Sequence, residues 1–284
     1  MRTLRTVAEL RAELRAARAE GRTIGLIPTM GAFHAGHVSL MERARTATDV
    51  VVVSLFVNPT QFGADEDLAA YPRDEARDAE IAAAAGVDVL FAPPTEEVYP
   101  RGFQTTVAVG ELAQPLEGAH RPGHFDGVAT VVVKLLNMVG PNVAFFGQKD
   151  AQQALVVRRV VRDLDIPVRI EVCPTVREPD GLAMSSRNAY LAPAERERAV
   201  ALRRALDAAE QAVAAGQRDA AAVATAARAA MEPYGVEPEY LALVAADTLA
   251  PVDRIEQEVL VALAARVGPA RLIDNTILQT NGRP

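Results

Sequence analysis

Hydrophobic residues make up 50% of this 284-residue chain, enough for one large or two ordinary domains with a substantial buried core. Thirty basic against thirty-seven acidic residues leave a net charge of -7, which argues against a protein that coats nucleic acid or an anionic membrane surface. The single cysteine, Cys173, cannot close an intramolecular disulfide, no apolar run approaches the roughly 18 to 20 residues of a membrane span, and the N-terminus lacks the apolar centre of a signal peptide, so a cytoplasmic protein is expected.

Taken in order, Leu4, Val7, Leu10 and Leu14 are spaced as one face of an opening helix. Ile24, Leu26 and Ile27 form a first strand, and Val38, Leu40, Met41 and Ala44 recur at helical spacing, so residues 28–37 between them (Pro-Thr-Met-Gly-Ala-Phe-His-Ala-Gly-His) make a strand-to-helix turn. Gly31 and Gly36 let that backbone bend tightly and approach a ligand, and the helix behind it aims free N–H groups and a positive dipole end at whatever sits there, which suits phosphate. His34 and His37, three residues apart, can face one bound group, either as neutral donors or as protonated partners of developing negative charge.

Residues 49–57 are a continuous apolar run of the kind found in a parallel strand buried on both faces, and they deliver the polar turn 58–63 (Asn-Pro-Thr-Gln-Phe-Gly). A helix over 73–85, a strand over 87–91 and a stop at Pro93-Pro94 follow. Residues 105–109 are expected as a strand, 120–127 as a polar loop with His120 and His124, and 128–138 as a buried helix that starts after Gly127 and ends before Gly140-Pro141. A short strand over 142–146 then delivers Gly147-Gln148-Lys149-Asp150 ahead of an amphipathic helix through Leu164, and 168–172 is the last strand of the series. This alternation predicts a doubly wound parallel sheet, with three polar turns at its carboxyl rim, where such sheets bind ligands. Only two lysines, Lys134 and Lys149, occur in a chain that otherwise writes its positive charge as Arg, which marks Lys149 as a compact ammonium for a crowded phosphate.

Beyond Thr175 the pattern changes. Residues 178–181 are turn chemistry, and Met184-Ser185-Ser186-Arg187-Asn188 is a polar loop. Residues 194–215 and 219–231 are alanine-rich packing helices, and 240–244, 259–266 and 271–278 are strands. The expected architecture is a Rossmann-like α/β domain over 1–176 followed by a smaller α+β domain over 177–284.

Four of these marks, residues 28–37, 58–63, 147–150 with Gln153, and 184–188, together resemble the pantothenate synthetase family, and the likeness covers almost the whole chain. The first and last also look like the His-x-Gly-His and Lys-Met-Ser-Lys-Ser-like signatures of class I aminoacyl-tRNA synthetases and nucleotidyltransferases. Two departures are visible. Phe33 stands where an aliphatic residue is expected, and Arg187 stands where the broader superfamily has Lys.

The resemblance implies ATP-dependent joining of pantoate to β-alanine through a pantoyl adenylate, with AMP and pyrophosphate as products, Mg²⁺ accompanying ATP, and a homodimer. His37 is implied as the principal catalytic residue, with His34, Lys149, Ser185, Ser186 and Arg187 around the α-phosphate. The nucleotide is expected along Met30, Gly31, Ala32, Phe33, His34, Ala35, Gly36 and His37, and along Gly147, Gln148, Lys149, Asp150, Val176, Met184, Ser185, Ser186 and Arg187. Gly147 and Asp150 are expected at the ribose and Val176 at the adenine. Gln61 and Gln153 are implied to bind pantoate, with Phe62, Val131 and Val132 as an apolar wall, while Arg121 and His124 are either a second ring around the substrate or a loop anchor. The rival readings are an AMP transfer onto a phosphate acceptor, an RNA-binding paralogue, which the acidic balance disfavours, and a non-catalytic nucleotide sensor.

Overall fold

A computed structural model of the protein describes residues 1–63, 66 and 68–279. The chain divides into two compact units: residues 1–148 with 152–174, and residues 149–151 with the chain from 175 onward.

The first unit runs β1 (Arg2–Leu4), α1 (Val7–Ala19), β2 (Ile24–Thr29), α2 (Ala35–Ala47), β3 (Val50–Leu55), α3 (Glu75–Ala84), β4 (Val89–Phe91), α4 (Thr95–Val98), α5 (Glu117–His120), α6 (His124–Val139), β5 (Val143–Gly147), α7 (Ala151–Asp163) and β6 (Arg169–Cys173). Its six strands are ordered β1-β4-β3-β2-β5-β6, and every pairing is parallel. The chain leaves β2 through β3 and β4 on one side and returns as β5 on the other, so the order reverses between β2 and β5.

Alternation along the strands sends residues to two cores, as a parallel sheet covered on both faces requires. Ile24, Leu26, Val50 and Val52 pack with Leu10 and Leu14 of α1 and Leu135 and Leu136 of α6. Ile27, Val51 and Val53 pack with Leu40 and Met41 of α2 and Ala82 of α3. The second unit holds the antiparallel sheet β7 (Pro238–Ala245), β8 (Val259–Val267) and β9 (Ala270–Leu278), in that spatial order. One face of it packs against α9 (Ala201–Ala214) and α10 (Ala220–Ala229), which follow α8 (Pro193–Ala199).

Four expectations need correction. Leu4 belongs to an edge strand paired with Phe91, and the opening helix starts only at Val7, behind a capping box in which Thr6 and Glu9 satisfy each other's backbone N–H groups. Residues 105–109 form no strand, because Val107 N–H donates to the Thr130 side chain (2.9 Å) and not to a neighbouring ladder. The buried helix begins at His124, with Gly127 inside it. The long helix expected over 194–215 is two, meeting at Val200.

Candidate active site

At the carboxyl end of β2 the backbone folds into the left-handed region twice in succession, at Gly31 (φ 90°) and Ala32 (φ 53°). Ala32 carries a side chain there, a conformation that persists only when its surroundings impose it. Asp78 of α3, 2% exposed, imposes it by accepting from Ala32 N–H (2.9 Å) and Phe33 N–H (2.7 Å). A side chain on Gly31 would stand 2.8 Å from the Asp78 carboxylate and 2.7 Å from Leu55, so only glycine fits. Nothing in the sequence pattern singles out Asp78, because its partners lie 45 and 46 positions away.

His34 caps α2. Its Nδ1 accepts from Gly36 N–H (3.1 Å), and His37 Nδ1 accepts from His34 N–H (3.3 Å). A ring nitrogen that accepts carries no proton, so both imidazoles are neutral rings protonated at Nε2. The two rings lie 4.2 Å apart between centroids, and Phe33 lies 5.3 Å from His37. Phe33, the visible departure from the expected pattern, is 4% exposed and packs in the α2 core. The geometry selects the donor reading over the protonated one: a helix N-terminus carrying two Nε2–H groups suits an anion whose charge grows during reaction.

The turn after β3 is a single 3-10 turn, Pro59–Gln61, capped by Asn58. Asn58 Nδ2 donates to Gln61 Oε1 and to Gly127 O, each at 3.1 Å, and Gln61 Nε2 lies 3.2 Å from Met30 Sδ. Gln61 is thereby joined to the histidine turn through Met30. Gly127 is in the helix because α6 passes so close to this turn that a Cβ there would lie 2.3 Å from Thr60 O.

Arg121 and His124 anchor the same turn from behind. His124 Nδ1 donates to Gln61 O (2.9 Å), which leaves Nε2 to accept from Arg121 (3.1 Å), and Arg121 makes a two-pronged pair with Glu66 (2.6 and 2.8 Å). Burial, helped by the Arg121 charge, lowers the His124 pKa to about 4. Burial alone would raise the Glu66 carboxyl, but the Arg121 hydrogen bond and charge outweigh it and hold the carboxyl below its usual range. Because His124 titrates lower in the folded chain than its free value near 6.5, the unfolded chain binds more protons as pH falls from about 6.5 toward 4, and stability is lost across that window. Urea titrations should show the wild type losing about 2 to 3 kcal/mol more between pH 7 and 4.5 than His124→Gln, which keeps a donor without the titration. Equal slopes would remove His124 from the acid response.

Elsewhere in this unit, Phe62 sits edge-on to Tyr71 at 5.9 Å, and Val131 and Val132 are 6% and 4% exposed within the α1-side core. Gln152 and Gln153 divide their tasks. Gln152 is buried and consumed by backbone, accepting from Glu117 N–H and donating to Leu112 O and Pro115 O, whereas Gln153 is half-buried. Gly147 ends β5, with open space where a Cβ would stand.

In the second unit, Lys149 Nζ lies 3.5 Å from Asp150 Oδ1, and Asn275 of β9 donates to Lys149 O (2.9 Å). Asp274, its side chain 1% exposed, pairs with both terminal nitrogens of Arg177 (2.7 and 3.0 Å). Arg177 bridges Ala183 in a small hairpin closed by Met184 N–H donating to Val176 O (3.0 Å). Ser185 then caps the 3-10 turn Ser186–Tyr190 by accepting from Arg187 N–H (3.2 Å). The unit thus brings together Lys149, Asp150, Val176, Met184, Ser185 and Arg187. Sequence reasoning missed their support, Arg177, Asp274 and Asn275, although three adjacent polar residues, 274–276, inside the strand 271–278 were a signal.

A parallel sheet with a helix N-terminus and a histidine pair at its order reversal defines a doubly wound α/β protein of the class that takes phosphorylated ligands there. Comparison with known proteins narrows this. A family profile described as pantoate-beta-alanine ligase matches residues 2–277. The pantothenate synthetase of Moorella thermoacetica is 53% identical over 282 residues, covering 99% of this chain and 100% of that protein. The crystal structure of pantothenate synthetase from Thermus thermophilus superposes with a TM-score of 0.93 at 50% identity, covering 97% of this chain and 99% of that one. Pantoate-beta-alanine ligase from Francisella tularensis, complexed with beta-gamma ATP and beta-alanine, superposes at 0.81 with 35% identity over 98% and 97%. The chain belongs to the pantoate–β-alanine ligase family.

Proposed function

We propose that the chain condenses pantoate with β-alanine at the expense of ATP, through an enzyme-bound pantoyl adenylate. A carboxylate is a poor acyl donor until one oxygen becomes part of a leaving group. In the first step a pantoate carboxylate oxygen attacks the α-phosphorus and pyrophosphate departs. In the second the β-alanine amine attacks the acyl carbon, AMP departs and the amide forms. The observation that carries this reading is the neutral histidine pair at the N-terminus of α2, joined through Met30 to a buried glutamine, in a chain matched to this family over residues 2–277.

His37 and His34 donate from Nε2 to phosphate oxygens as charge builds, Lys149 and Arg187 offset part of the remaining charge of the triphosphate, and Ser185 and Ser186 donate hydrogen bonds to it. Gly147 and Asp150 hold the ribose and Val176 offers its backbone to adenine. Gln61 and Gln153 take the hydroxyl and carboxylate of pantoate, with Phe62, Val131 and Val132 beside its dimethyl carbon. Mg²⁺ enters with ATP. In this reading the ion is held mostly by the triphosphate and water, as Mg²⁺ commonly is when it accompanies a nucleotide. The described helices include none long and apolar enough to cross a membrane, and a cytoplasmic homodimer is proposed on the family resemblance, to be checked by light scattering.

Isotope exchange tests the order of events. Labelled pyrophosphate should enter ATP when enzyme, Mg²⁺ and pantoate are present without β-alanine, and should stop when pantoate is withheld. Exchange that requires the amine would refute a separate adenylation step, and exchange without pantoate would favour transfer of AMP to another acceptor.

A further inference from the structure

The Asn58 side chain is 1% exposed, and its two ends face opposite chemistry. Its Oδ1 receives the Tyr99 hydroxyl (2.8 Å), the Thr60 hydroxyl (2.9 Å) and Thr60 N–H (3.3 Å). Its Nδ2 donates to Gln61 Oε1 and Gly127 O. This amide has one orientation only, because flipping it would set Nδ2 against the Thr60 N–H and Oδ1 against the Gly127 carbonyl; the Tyr99 and Thr60 hydroxyls, which can donate or accept, then donate to it. That orientation fixes the next amide in turn: with Gln61 Oε1 engaged by Asn58, Gln61 presents Nε2, whose contact is the weak acceptor Met30 Sδ.

Tyr99 is itself held in place. Its ring lies 5.1 Å from Phe103 and 6.1 Å from Phe56, and Lys134 Nζ stands 5.9 Å from its centroid and 4.5 Å from that of Phe103. Burial raises the Tyr99 phenol above its usual range, so the hydroxyl keeps its proton.

We propose that Tyr99 is a positioning residue for the acid substrate: its hydroxyl holds in place the Asn58 amide that turns Gln61 into a hydrogen-bond donor, which favours an acid carrying acceptor oxygens. The proposal rests on the reading of Gln61 as a pantoate contact. It gives the aromatic group around Lys134 a task in recognition at a distance from the substrate.

The experiment is a cycle of Tyr99→Phe, Gln61→Ala and the double variant, with KM for pantoate and for ATP, kcat and the melting temperature measured for each. Tyr99→Phe keeps the ring and removes one hydroxyl. It should raise KM for pantoate about three- to tenfold, the scale of one neutral hydrogen bond, and leave KM for ATP within about twofold and the melting temperature within about 2 °C. In the Gln61→Ala background the same change should add less than about twofold, because the group it orients is gone. A Tyr99→Phe enzyme with unchanged pantoate KM, or with both KM values raised alongside a lowered melting temperature, would overturn the relay while leaving Gln61 as a contact. An unchanged pantoate KM in Gln61→Ala would overturn the contact itself, and the relay with it.

Discussion

Replacing His37 by alanine is expected to lower turnover by about 10² to 10⁴, the scale for loss of a transition-state donor or general acid, while the protein stays folded. The fold should survive because the first turn of α2 is capped by His34 Nδ1 from Gly36 N–H, a bond that does not involve the His37 ring. What is lost is a ring fixed by His34 N–H at Nδ1 and flanked by Phe33, with its proton placed on the opposite nitrogen. Pyrophosphate exchange should fall by a factor similar to overall turnover, since the charge that His37 meets belongs to the first half-reaction. Circular dichroism would confirm an intact fold, and a variant within about threefold of wild type would remove His37 from the chemistry.

Gly127→Ala should be costly in a way that helix propensity alone predicts with the wrong sign. In an open helix interior this exchange gains up to about 1 kcal/mol. Here the new Cβ would stand 2.3 Å from Thr60 O, 2.6 Å from Thr60 C and 2.7 Å from Gln61 N, all backbone atoms of a turn pinned by Asn58. Either α6 withdraws from the sheet or the turn moves, and overpacking of this kind costs about 1 to 3 kcal/mol. Because Gln61 rides on the displaced turn, pantoate KM should rise about tenfold or more together with the loss in stability. Urea denaturation and steady-state kinetics on one preparation check both, and a more stable variant with unchanged kinetics would show that the close approach is unimportant.

The parts of the fold legible in the sequence are those written in local periodicity. The apolar runs of β2, β3 and β5, each ending in a polar turn, are readable because a buried parallel strand needs a continuous apolar stretch and a sharp exit. Leu4 misleads because a three-residue edge strand has too little length to show its own period, and its spacing to Val7 and Leu10 fits a helix equally well. Residues 105–109 have β-branched composition without a partner strand, and composition does not reveal partners. Gly127 reads as a helix start because glycine usually interrupts helices, and only the Thr60 backbone, remote in sequence, explains its presence inside one.

The same division holds for the candidate site. His34, His37, Gln61, Lys149 and the 184–188 loop stand in turns where polar residues break an apolar pattern. Asp78, Asn58, Tyr99, Arg177, Asp274 and Asn275 act by orienting those residues or their backbone, through contacts that no local pattern records. Asn58 is visible as part of its turn, but its amide orientation depends on Gly127 O, 69 positions away, and a further bond to it comes from Tyr99, 41 positions away.

The path of the chain around Lys149 limits how a protein of this design can be recombined. Residues 149–151 leave the first unit, join the second and give the chain back to the first at 152, so the C-terminal unit is discontinuous in the gene. A crossover near residue 175 would take the lysine from one parent and Asn275, which holds its backbone, from the other. Two homologues exchanged at that point inherit an ammonium and an anchor selected apart, whereas a crossover before residue 149 transmits them as one heritable block.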